Sequence, residues 1–102
     1  MKQVMVRYKV KADQVAENEK YVRAVYEQLE KEKTSAIRYA TFKLADGQSF
    51  VHLATIETAD GKSPLGEQTA FKAFQAELKD RCEEPPVAVD VTEIGSYRFF
   101  QE

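Results

Sequence analysis

Hydrophobic and polar residues alternate from residue 3 to residue 10. Val4, Val6, Tyr8 and Val10 fall on one side, and Met5, Arg7 and Lys9 on the other. A period of two with β-branched enrichment predicts a strand. The period changes over residues 14 to 33, where Val15, Val22, Val25, Tyr26 and Leu29 form one stripe and charged residues fill the rest. That pattern predicts an amphipathic helix, with Asp13 placed to cap it. Residues 35 to 45 and 48 to 57 read as strands joined at Asp46-Gly47, the signature of a two-residue type I′ hairpin turn. Residues 58 to 66 read as a loop, positioned to cover the mouth of a cavity. A second helical pattern follows over residues 67 to 83, with Phe71, Phe74, Leu78 and Cys82 on one face, and Pro85-Pro86 is expected to stop it. Val87, Val89 and Val91 mark a last strand over residues 87 to 94, which residues 96 to 100 are expected to continue past a bulge at Gly95. The order β-α-β-β-α-β predicts one α+β, ferredoxin-like domain over residues 1 to 102. Its sheet would be four-stranded and antiparallel, in strand order 4-1-3-2, with both helices on one face.

The hairpin fixes a register. It sets Thr41 opposite His52 and Phe42 opposite Val51, and paired residues share a face. One face carries Ala40, Phe42, Leu44, Val51 and Leu53. Being nearly all apolar, it is expected under the helices, together with Val4, Val6, Tyr8, Val10, Val87, Val89 and Val91. The other carries Ile37, Tyr39, Thr41, Phe50, His52 and Ile56, joined by Met5, Arg7 and Asp90. A face this aromatic, left in water, marks an interface or a ligand site.

The candidate chemistry lies on that second face. His52 is the sole histidine and titrates near neutrality, so it is a candidate general base. Arg7 is a candidate clamp for an anionic substrate oxygen, and Tyr39 a second candidate catalytic group. Thr41, Phe50 and Asp90 would line the substrate. Each has a plainer reading: an interior histidine held by hydrogen bonds, an Arg7–Asp90 ion pair at an interface, and Tyr39 and Phe50 as packing between subunits.

Composition narrows the function classes. The net charge is −2, with 15 basic and 17 acidic residues, which argues against a phosphate-tracking nucleic-acid binder. No apolar run approaches the ~18 residues of a membrane span, and the first residues meet charge too early for a signal peptide. A single cysteine, Cys82, excludes an internal disulfide and leaves no credible metal cluster. A cytoplasmic protein without membrane or nucleic-acid partners is expected.

The chain resembles the dimeric α+β-barrel superfamily, in particular antibiotic-biosynthesis monooxygenase-like and quinol monooxygenase-like proteins. The resemblance rests on residues 4–11 (VMVRYKVK) leading into the first helix, on residues 50–57 (FVHLATIE) in the third strand, and on residues 71–74 (FKAF) in the second helix. It implies a homodimer whose two sheets enclose a cavity, and cofactor-independent oxygenation of a small aromatic or quinol compound. In that chemistry the deprotonated substrate passes an electron directly to dioxygen, so no cofactor is needed. The alternative is a non-catalytic dimer that binds a ligand or is purely structural.

Overall fold

The computed structural model describes residues 2–99. The alternating segment forms β1 (Lys2–Val10), and the helical stripe forms α1 (Val15–Glu32). The hairpin strands are β2 (Ile37–Lys43) and β3 (Ser49–Ile56). The second helical region is broken into α2 (Thr69–Ala76) and α3 (Leu78–Arg81), and β4 (Cys82–Asp90) completes the sheet. The sheet is antiparallel in the order β2-β3-β1-β4, which is the expected 4-1-3-2 order read from the other edge. Among the described residues, no helix is long and apolar enough to cross a membrane.

The expected hairpin register holds, with Thr41 opposite His52 and Phe42 opposite Val51, although the turn differs. The Leu44 N–H donates to the Ser49 carbonyl at 2.8 Å, closing a loop of Ala45 to Gln48. Within it only Gly47 has positive φ, +74°, whereas a type I′ turn needs two such residues. The Asp46 carboxylate supplies the missing order. It accepts from the amides of Gln48 (2.9 Å) and Ser49 (2.8 Å) and from the Ser49 hydroxyl (2.6 Å). These donors hold its pKa down at about 2.

The assignment of faces is corrected. β1 pairs Val6 with His52, so the chain Val6–His52–Thr41 lies on one face, and α1 and α2 cover that face. Tyr8, Val10, Phe50 and Phe74 are buried in a single core with Val22 and Val25 of α1. The aliphatic face of Phe42, Val51, Leu53, Val87 and Val89 points away from the helices, with Phe42 37% and Val87 61% exposed. Apolarity misassigned the hairpin because the helix-covered face is built of aromatic rings whose polar atoms satisfy one another. The expectation for β1 was right, since Tyr8 and Val10 are 2% and 0% exposed.

Three boundaries also moved. Asp13 lies inside a 3-10 turn, Ala12–Gln14, and makes no side-chain cap. Pro85 and Pro86 do not end a helix but sit within β4, an edge strand whose register against β1 shifts beside them. Strand interiors exclude proline, but edges and bulges admit it. Residues 91–99 do not extend the strand. Val91 and Glu93 are tied down, their amides donating to the Gln3 backbone and side-chain oxygens. Phe100, expected to belong to that run, lies outside the described residues.

Candidate functional site

β3 carries His52 inward between β1 and β2, directly beneath α2. Three rings enclose the imidazole: Tyr8 of β1 at 5.3 Å, Phe74 of α2 at 5.4 Å and Tyr39 of β2 at 5.6 Å between centroids. His52 is 4% exposed. Burial favours the neutral imidazole and lowers its pKa from 6.5 to about 4.

Both ring nitrogens have hydroxyl partners. Nε2 lies 2.7 Å from the Tyr8 hydroxyl. Nδ1 lies 2.7 Å from the Tyr39 hydroxyl and 2.9 Å from Thr41 Oγ1. Thr41 Oγ1 in turn lies 2.8 Å from the Tyr26 hydroxyl of α1. At the other end, Asn18 of α1 donates to the Tyr8 hydroxyl at 2.9 Å, and Arg81 of α3 donates to the Asn18 carbonyl at 3.2 Å. One connected polar network therefore crosses the interior from α3 to β2. Desolvation raises the phenols of Tyr8, Tyr39 and Tyr26 above their ordinary range, so they remain protonated at neutral pH.

The network reaches the surface at one end. A cleft of about 400 Å³ between the C-terminal half of α1 and β2 is lined by Tyr26, Leu29, Lys33, Ile37 and Tyr39, among others. Its volume falls within the ~300–1,000 Å³ of small-molecule sites. Tyr26 and Tyr39 stack there at 5.5 Å between centroids. A second hollow of about 380 Å³ between α1 and α2 is lined by Glu27, Lys31 and Thr69 but by no member of the network. Of these two hollows, the first is the one that adjoins the network.

The structure gathers only part of the expected set. His52, Tyr39 and Thr41 are in hydrogen-bond contact. Phe50 is 2% exposed and stacks on Tyr8 at 5.5 Å, so it belongs to the core. Arg7 pairs with Val51 and Val87, which puts it on the opposite face from His52. Asp90 pairs with Val4 and is exposed on the outer strand, so the expected Arg7–Asp90 pair is not made. None of residues 58–66 lines the cleft, because that loop folds back to bury Leu65 in the core. Sequence reasoning missed Tyr8, Asn18, Tyr26 and Arg81 as polar participants. Asn18 and Arg81 did leave a signal: each falls on the buried stripe of its helix, at Val15+3 and Leu78+3.

No family model matches the sequence, and no curated relative matches it. Solved structures do match. An antibiotic biosynthesis monooxygenase superposes with a TM-score of 0.76 at 12% identity, covering 93% of this chain and 100% of that one. Rv0793 from Mycobacterium tuberculosis gives 0.75 at 14% identity, covering 93% and 96%. A variant of SnoaB, a cofactor-independent oxygenase from Streptomyces nogalater, gives 0.69 at 15% identity, covering 95% and 96%. The superpositions span nearly the whole of each chain, and the chain has the ferredoxin-like fold of the antibiotic biosynthesis monooxygenase-like proteins.

Proposed function

We propose that the protein is a cofactor-independent oxygenase acting on a small hydroxyaromatic compound bound in the Tyr26–Tyr39 cleft. The observation that carries this reading is the 2.7 Å contact of Tyr39, a cleft residue, with the buried neutral His52. Stacked Tyr26 and Tyr39 offer rings to a flat ligand. The Tyr39 hydroxyl meets the substrate oxygen, and the imidazole behind it sets what that hydroxyl can do. Ionised substrate transfers an electron to dioxygen, and the resulting pair recombines at a ring carbon bearing hydrogen. One oxygen atom becomes a second ring carbonyl. The other leaves as water, with the hydroxyl proton and the ring hydrogen, so that phenol and dioxygen give quinone and water. Hydrogen bonds to the ionised oxygen lower the first barrier. Thr41 holds Tyr26 and His52 in register; Arg7 has no part in this site.

Dioxygen uptake with a panel of hydroquinones, naphthols and anthrones tests the reading. Tyr39→Phe and His52→Ala are each expected to lower turnover by ~10²–10⁴-fold. Less than a tenfold loss in both, on a folded protein, overturns it. The complete saturation of His52 by hydroxyls favours one other reading, a structural histidine in a non-catalytic ligand-binding dimer. That reading predicts binding of such compounds without uptake.

The dimer belongs to the same proposal. The aliphatic sheet face away from the helices, and the exposed Ile94, Tyr97 and Phe99 beyond β4, would be covered by a second copy of the chain. An exposed apolar face of this extent marks an interaction surface.

A further inference from the structure

The hydrogen bonds of the buried network have a direction, set at the end farthest from the cleft. A guanidinium only donates. Arg81 is 4% exposed and is held on several sides. Its Nη2 donates to the Phe74 carbonyl at 2.8 Å, and its Cζ lies 4.5 Å from the centre of the Tyr21 ring. Its Nε donates to Asn18 Oδ1 at 3.2 Å. The Asn18 carboxamide therefore turns its oxygen to Arg81 and its NH₂ to Tyr8, where Nδ2 donates at 2.9 Å. The Tyr8 hydroxyl, already accepting, has one proton left to give. Among the described residues its remaining hydrogen-bond partner is His52 Nε2, 2.7 Å away. Nε2 is thus an acceptor, and a neutral imidazole whose Nε2 accepts carries its proton on Nδ1. That N–H faces the oxygens of Tyr39 and Thr41.

We propose that Arg81 and Asn18 are positioning residues that lock His52 in the Nδ1–H tautomer, so that the network delivers a hydrogen-bond donor, not a base, to the hydroxyls at the cleft. Tyr39, receiving the imidazole N–H, keeps its own proton to give, either to Thr41 beside it or to a ligand oxygen in the cleft. Successive bonds in such a chain polarise one another, which suits a site that stabilises an anionic or carbonyl oxygen. The catalytic consequence rests on the oxygenase reading; the tautomer does not.

Nitrogen-15 NMR of the imidazole, at a pH where it is neutral, tests this directly. The full chain is expected to show a protonated Nδ1 and an unprotonated Nε2. Asn18→Asp then supplies an inversion of near-identical shape. Its carboxylate accepts from Arg81 and also from Tyr8, so the Tyr8 hydroxyl turns round and accepts from Nε2–H. The dominant tautomer should switch to Nε2–H while Tyr8 and His52 stay in contact. Nε2–H as the major form in the native chain overturns the proposal, even if no variant folds. So does an unchanged tautomer in folded Asn18→Asp. A native Nδ1–H with inversion in the variant supports it whether or not dioxygen is consumed. Dioxygen uptake by a native chain carrying Nε2–H would leave the functional reading standing and remove this one.

Discussion

Lowering the pH from 7.5 to 5 should destabilise this protein through one side chain. His52 has a folded pKa of about 4 against an ordinary 6.5. Between those values the unfolded chain binds a proton that the folded chain refuses. The stability present above pH 6.5 is therefore lost as pH falls towards 4. One pKa unit corresponds to about 1.4 kcal/mol, so the loss amounts to about 2 kcal/mol at pH 5 and about 3 kcal/mol at pH 4. The window is clean because His52 is the only histidine. The lowered carboxylates, Asp46 and Glu19, have ordinary values of 3.8 and 4.5, and their linkage acts below pH 5. Urea unfolding at pH 7.5, 6 and 5 measures the effect. A melting temperature lower by roughly 8–16 °C at pH 5 is the thermal equivalent for a domain of this size. His52→Gln, which cannot titrate, should flatten the profile over this window. A native stability unchanged from pH 7.5 to 5, or the same slope in His52→Gln, would refute the buried neutral imidazole.

Two further outcomes follow from the packing. Phe74 is 4% exposed and touches the rings of Tyr8, His52 and Phe71, so Phe74→Ala should cost about 3–5 kcal/mol in chemical denaturation; a cost under about 1 kcal/mol would mean that α2 does not seal the network. Leu53→Asp on the aliphatic sheet face should turn a sedimenting dimer into a monomer with little loss of secondary structure, because a charge there is buried only in the dimer; a native chain that sediments as a monomer at all concentrations removes the dimer.

Much of the fold was legible because alternation and helical period are local properties. Val4 to Val10 wrote β1, and the stripe from Val15 to Leu29 wrote α1. The register of β2 on β3 was legible from Asp46-Gly47, even though the turn is built on the Asp46 carboxylate. The inward face was not legible, because both faces of the hairpin are partly apolar and only the pairing of Val6 with His52 decides between them. The second helix broke early and Cys82 entered β4, since an edge strand with bulges tolerates Pro85 and Pro86 where a central one would not. His52, Tyr39 and Thr41 were found because strand alternation groups them. Asn18 and Arg81 come from different helices 63 residues apart in sequence, and only tertiary packing joins them.

The two outer strands bear on how copies of this chain can associate. From Lys9 to Arg7 is two steps along β1, while the partners Glu84 to Val87 span three along β4, so β4 bulges where its two prolines stand. Proline offers no amide to a newcomer, and a bulge twists the rim away from a flat ladder. On the opposite rim, β2 begins and ends near Arg38 and Lys43, which are tied to Glu57 and Glu19 at 3.2 and 2.7 Å. Neither rim is a good template for strand-by-strand growth. Open-ended sheet extension, the route to fibrils, is disfavoured at both sides, and the dimer proposed above, built on the apolar face, would close after a single partner.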